Sequence, residues 1–360
     1  MMYRHLSFIS VLVPLCLLLT AGVPESDLNS GKAMPEPAAE AASEVDIPEI
    51  IFSHIGDSYE WHIAKFGNRD IAIPLPIILY SKNSGINIFS SKKIGHGAEY
   101  KGFHIAPAGS PYEGKIVENV DGTEHRPVDI SITKNVIALM ASSLLLMVIV
   151  LLSARWYRKH DALKEPPKGV AAVMEPVIMM IHDIAKDNIG EDYKRYSPYL
   201  IMAFLFIFIN NILGIIPIFP FGANLTGNIA VTMTLALITF LTVNLTGTRH
   251  YFKEIFAPDV PVFLKPIMPI VEVFSVVMKP LSLTIRLFAN MLAGHIQILS
   301  IVCIIFIISK YGAFISGTMS AVSVAFGIFL NFLEILVAFI QAYVFTILSA
   351  VYIGLARQKH

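Results

Sequence analysis

Arg286, Glu272, His295 and Asn290 lie within one mostly apolar run from Pro266 to Ile308, and Glu334 and Gln341 lie in a second. A lone cation at membrane depth costs about 3 kcal/mol on insertion scales, so it persists only where it faces protein or water. Apolar sequence continues about twenty residues beyond Arg286, too far for its side chain to snorkel to that interface. At about 100° per residue, Glu272, Lys279, Arg286, Asn290 and Gln297 fall on one helical face, with Ser282 beside it. His295 is nine residues past Arg286 and points to the opposite face. Glu334, Gln341 and Tyr352 form a second polar stripe, with Ala338 between them. Amides alone would serve as interhelical glue. Four ionisable groups, Arg286, Glu272, His295 and Glu334, are too costly for packing. His and Glu pass protons near neutral pH when their surroundings tune them. Arginine stays charged in a protein, so it interrupts a proton wire. The chemistry expected is proton translocation, with no bond-making step.

Composition sets the elements that must position these groups. The 360 residues are 55% hydrophobic and 15% charged, with a mean hydropathy of +0.64. Soluble domains carry about 25% charge, so the chain is a polytopic membrane protein with a soluble part. Its formal net charge of zero suggests no nucleic-acid partner. Cys16 and Cys303 both lie in apolar runs, without disulfide or metal spacing. No cofactor or metal site is expected.

Residues 1–22 read as an export signal: Arg4 and His5, a short apolar run Phe8–Leu19, then Ala21 and Gly22. Residues 23–45, rich in Pro, Ala, Glu and Ser, read as a linker. Residues 46–133 read as a small β-rich domain outside the membrane. Strand-like stretches are Tyr59–Phe66 and Asp70–Tyr80, with turn signals at Asn68, Asn83-Ser84-Gly85 and Asp121-Gly122. Its histidines, His54, His62, His96, His104 and His125, lack ligand spacing and read as surface residues.

Residues 134–360 form the membrane domain. Val136–Leu152 is the first mature span, and Arg155, Arg158, Lys159, Lys164 and Lys168 after it place that end in the cytoplasm and the β domain in the periplasm. Val173, Val177, Ile178, Ile181 and Ile184 recur at helical spacing, as in an interfacial amphipathic helix. Pro198–Ile216 and Asn228–Thr246 are the second and third spans. Pro266–Ile308 and about Thr318–Leu355 are the last two, the chain ending in the cytoplasm. About forty residues at ~1.5 Å rise make a helix of roughly 60 Å, against a ~30 Å hydrocarbon core. No charged turn breaks either run. The fold expected is therefore all-α in the membrane, with five mature spans, the last two a long, strongly tilted hairpin turning around Tyr311–Gly317. In that topology Glu272 lies on the inner side of Arg286, while His295 and Glu334 meet in the outer half.

At these residues the sequence resembles subunit a of the F-type ATP synthase membrane sector, over about residues 134–360. The resemblance rests on Pro280-Leu281-Ser282 through Arg286-Leu287-Phe288-Ala289-Asn290-Met291, Ala293-Gly294-His295, Glu272, Asn211–Pro217, Asn228–Thr232, and Glu334 with Gln341–Phe345. It implies a non-catalytic stator in a bacterial inner membrane. Two aqueous half-channels would serve a rotating ring of c subunits, with b subunits and the rest of the synthase as partners. Arg286, Glu272, His295, Glu334, Asn290 and Gln341 would carry proton translocation. Better-known bacterial members carry an acid where this chain has His295 and a histidine where it has Glu334, so the pair looks exchanged. Two other readings compete. A stand-alone cation channel or antiporter calls for inverted repeats, and none is evident. A plain anchor for the β domain would need neither Arg286 nor Glu272.

Overall fold

The computed structural model describes residues 56–358, apart from 67–68, 108–109, 113, 121–122, 162–164, 217–221, 259, 262 and 309–312. The export signal, the linker, His54 and the Asp121-Gly122 turn lie outside the described residues. The described residues fall into two compact units, one ending at Ala138 and one beginning at Leu139.

The first unit carries eight strands. β1 (Glu60–Phe66) and β2 (Arg69–Pro74) form an antiparallel pair. β3 (Pro76–Ser81), β4 (Gly85–Ser90) and β8 (Val128–Asp129) form a sheet in the order β4-β3-β8. β5 (Phe103–Ile105), β6 (Ile116–Val120) and β7 (Thr123–His125) form another. The stretch Asp70–Tyr80, which reads as one strand, is two. Pro74 and Pro76 flank the break at Leu75, and neither can donate to a ladder. Alternation puts Ile77, Leu79 and Phe89 inward, onto Ile94, Phe103 and Ile116. Ser84 Oγ donates to the buried Glu118 carboxylate at 2.7 Å, and Ser81 also donates, so that charge is compensated. Tyr59 donates to Asp129; burial first, and the Asp129 charge second, push its phenol above the usual range.

The chain passes from this unit into helix α1 (Lys134–Lys159) with no free linker. The amide of Ile130 bonds Ile78 O, that of Ile132 bonds Pro76 O, and that of Lys134 bonds Ser58 O. α1 continues through Arg155, Arg158 and Lys159 rather than ending at Leu152. α2 (Val170–Ile189) follows, then a 3-10 turn over Gly190–Asp192, α3 (Tyr193–Ile215), α4 (Ile229–Thr246) and the short α5 (Arg249–Phe256). The last two helices are α6 (Met268–Ile308) and α7 (Ala313–Arg357), 41 and 45 residues long. Both are continuous, and α6 runs through Pro280, so each long run is a single helix. Among the described residues five helical segments are long and apolar enough to cross a membrane.

Local chemistry fixes the helix ends. Asn228 caps α4 by accepting from the Ala230 amide, and Thr248 caps α5 by accepting from that of Tyr251. Thr234, Thr239, Thr242 and Thr246 return their hydroxyl hydrogens to carbonyls four residues back, so α4 carries them at no unsatisfied cost.

α7 is the central post, packing against α2, α3, α4, α5 and α6. Its last turns are held at several points. Arg357 Nε donates to Asp192 at 3.0 Å and Nη1 to Thr246 O at 3.3 Å, while the Thr248 amide donates to Ala356 O at 2.9 Å. Gly354 allows the approach of α2: a Cβ there would sit 2.1 Å from Asn188 O, which is backbone and cannot step aside. Gly354→Ala is expected to cost about 1–3 kcal/mol through this overpacking. The check is the unfolding midpoint of the detergent-solubilised protein, which should fall below that of wild type.

Candidate functional site

α6 carries the predicted groups on two opposite sides, as their spacing requires. Arg286, Asn290 and Gln297 are exposed on one side, and Glu272 and Lys279 are half-buried. Leu283, Leu287 and Met291 are buried and fix the rotation of the helix. His295 points the other way, towards α7. Its Nδ1 lies 3.8 Å from Oε1 of Glu334, whose side chain is only 6% exposed. The expected meeting of His295 and Glu334 is therefore present. Arg286 stands away from that pair, about 13 Å along the helix axis at ~1.5 Å per residue.

Small residues border the pair. A Cβ on Gly294 would stand 2.9 Å from Glu334 Oε1, and one on Gly214 would make an ordinary 3.5 Å contact with His295 Nε2. On α3 and in the loop after it Asn210, Asn211, Asn224 and Thr226 are buried, and Thr226 Oγ1 donates to Asn211 Oδ1 at 2.6 Å. Three asparagines in and after an apolar helix were the available sequence signal.

A second feature lies nearer the start of α6. A small, partly open pocket sits between α4, α5, α6 and α7, its largely apolar walls including Val276 and Pro280 and also Asn244, Tyr251, Lys279 and Tyr352. Lys279 Nζ lies 5.4 Å from the Tyr352 ring centroid, a cation–π contact. Burial first, and the Glu272 carboxylate second, push the Tyr251 phenol above its usual value. Tyr251 was missed in sequence because it belongs to a short helix in what reads as a loop. Gln341 is buried on α7, whereas Asn290 is exposed, so these two face different surroundings.

Of the β-domain histidines with described side chains, His104 Nε2 lies 3.5 Å from Glu124 and His125 Nε2 lies 3.1 Å from Thr123 Oγ1. Among the described residues no three His, Cys, Asp or Glu side chains gather as for a metal ion.

Five membrane-length helices among the described residues, a buried acid–base pair between the last two, and a cation on the far side of one of them make this a polytopic membrane protein with an ionisable interior. Comparison with known proteins narrows that class. Residues 140–354 match the family described as ATP synthase A chain. Residues 50–135 match a family described only as a domain of unknown function. ATP synthase subunit a 2 of Chlorobium luteolum is 45% identical over 65% of this chain and 70% of its own length. ATP synthase subunit a 2 of Chlorobaculum tepidum is 44% identical over 63% of this chain and 64% of its own length. ATP synthase subunit a of Myxococcus xanthus is 37% identical over 72% of this chain and 85% of its own length. The chain belongs to the subunit a family of F-type ATP synthases, and so to the proton-transporting membrane sector of that complex.

The exchanged pair makes a direct prediction. If His295 and Glu334 share one proton-handling site, they titrate together rather than independently. His295→Ala and Glu334→Ala should each impair proton pumping in inverted vesicles. His295→Glu with Glu334→His restores one acid and one base and should recover part of the activity. A double variant no better than the worse single variant would mean that the two are not interchangeable.

Proposed function

We propose that this chain is the stator subunit that carries protons to and from a ring of c subunits through two aqueous half-channels. The observation that carries the reading is the division of α6. A fixed cation, Arg286, stands on an exposed side, while a buried His295–Glu334 pair occupies the other, nearer its C-terminal end. The pair belongs to the outer half-channel, and the pocket at Lys279, Tyr352 and Tyr251 belongs to the inner one. Arg286 lies between them along the axis and keeps protons from passing directly, because a guanidinium does not deprotonate. Glu272 belongs to the inner path, and Asn290 and Gln341 line the route on either side of Arg286.

The exposure of the last two spans supports a large partner beside them. Each buries 17% of its most apolar stretch within the chain, against 56% and 50% for the second and third spans. Phe274, Val277, Ile285, Phe332 and Leu336 stand exposed there, an apolar surface suited to lipid and to the helices of a ring. The subunit performs no bond chemistry; catalysis belongs to the soluble sector. The b subunits and the remainder of the synthase complete the assembly. The basic cluster after the first span puts its C-terminal end and the chain terminus in the cytoplasm, with the β domain, residues 46–133, in the periplasm. The last two helices, too long to stand upright in a bilayer, lie strongly tilted.

Arg286→Ala should abolish ATP-driven proton pumping and ATP synthesis while the complex still assembles. Arg286→Lys should fail nearly as badly, since a desolvated ammonium can shed its proton. The check is pumping by inverted membranes beside co-purification of the ring. Normal pumping in Arg286→Ala would reduce the chain to an anchor.

A further inference from the structure

The sheet β4-β3-β8 has two apolar faces, and the core of its unit uses only one. Ile77, Leu79 and Phe89 point inward. The residues between them point outward: Ile78 and Tyr80 on β3, Ile86 and Ile88 on β4, then Val128 and Ile130 at β8. Register makes this one contiguous surface. Tyr80 pairs with both Ile86 and Val128, Ile78 pairs with Ile88, and the Ile130 amide donates to Ile78 O. Ile86 and Ile88 are 70% and 68% exposed, and Tyr80, Val128 and Ile130 are exposed as well. Pro76 and Ser90 complete the face, which holds no charged side chain. A solvated sheet face normally alternates to polar residues. An uninterrupted apolar one on a small domain marks a site of protein or membrane contact.

The chain's own covalent path selects between those two. Ile130 lies on this face and is only four residues before Lys134, the first residue of a membrane-length helix. Four extended residues reach at most about 14 Å. The Ile132 and Lys134 amides are also bonded back to Pro76 O and Ser58 O, so that stretch cannot act as a long flexible tether. The chain path from the apolar face to the start of a membrane-length helix is thus short and hydrogen-bonded. Tyr80 supplies the amphipathic ring favoured at a membrane interface, and Lys82 and Arg126, both exposed, sit at the Tyr80 end of the sheet, where phosphate headgroups would accept them.

We propose that the outer face of this sheet is a membrane-docking surface, seated in the headgroup region of the lipid bilayer beside α1. Ile78, Tyr80, Ile86, Ile88, Val128 and Ile130 enter the boundary between headgroups and acyl chains. The sheet is thereby anchored flat on the bilayer rather than standing clear of it. This role is independent of which side of the membrane the domain occupies, and it does not depend on the proton path.

The test uses the full chain with Cys16 and Cys303 replaced by serine, in lipid nanodiscs of phosphatidylcholine and phosphatidylglycerol. An environment-sensitive fluorophore is attached at Ile88→Cys, at Ile86→Cys, or at the exposed control Glu99→Cys. Quenching is read with a shallow spin-labelled lipid and with aqueous iodide. The expected result is loss of most fluorescence to the lipid quencher at both isoleucine positions and little loss to iodide, with the reverse at Glu99→Cys. Adding Ile88→Asp to the Ile86→Cys protein should restore iodide access. Iodide quenching at Ile88→Cys equal to the control would mean that the face stands in water. Protection from both quenchers would mean that protein covers it, either a second copy or another part of this chain. Either outcome overturns the proposal.

Discussion

Glu334 is a carboxylate enclosed by protein in the middle of a helix that must cross hydrocarbon, and the membrane unit has to accommodate it. An isolated buried charge costs several kcal/mol even after relaxation. The accommodation has two parts. His295 is brought to 3.8 Å. Gly294 leaves out a methyl group that would stand 2.9 Å from the Glu334 carboxylate. An imidazole at that distance offers the carboxylate a counter-charge when it is protonated.

The cation on α6 is handled differently. Arg286 is left on the exposed side, among apolar neighbours such as Ile285 and Leu281. Among the described residues no carboxylate forms an ion pair with it, in contrast to Glu334 and its imidazole. That separation of a closed pair from an open cation on one helix depends on the rotation of the helix. The buried seam of Leu283, Leu287 and Met291, at spacings of four, supplies it. α7 supplies the wall, because it touches every helix from α2 to α6 and is pinned at its end by Arg357 and Gly354.

Much of this was legible in the chain. The stripe Glu272, Lys279, Arg286, Asn290, Gln297 and the opposed His295 follow from helical period alone, which needs no tertiary knowledge. The two overlong helices were legible because no charged or turn-forming residue interrupts them, and Pro280 is carried inside α6 without ending it. What was not legible depends on crossings between segments distant in sequence. Tyr251, Lys279 and Tyr352 come from α5, α6 and α7, and no local pattern announces that they share a pocket. The division of Asp70–Tyr80 was missed because alternation continues across Leu75 while the hydrogen-bonding partners change on either side of it.

Pro280 has a further effect on the pocket it lines. Proline has no amide hydrogen, so the carbonyl four residues earlier, on Val276, loses its helical donor. Val276 is itself a wall residue of the same pocket. An apolar side chain there thus accompanies a main-chain oxygen with spare accepting capacity. Next to it stands Lys279, whose ammonium has three donors and no acceptor. The solvating character of this part of the helix is therefore written partly into the backbone. A substitution survey that changed side chains one at a time would leave that oxygen in place, and only restoring an amide at position 280 would take it away.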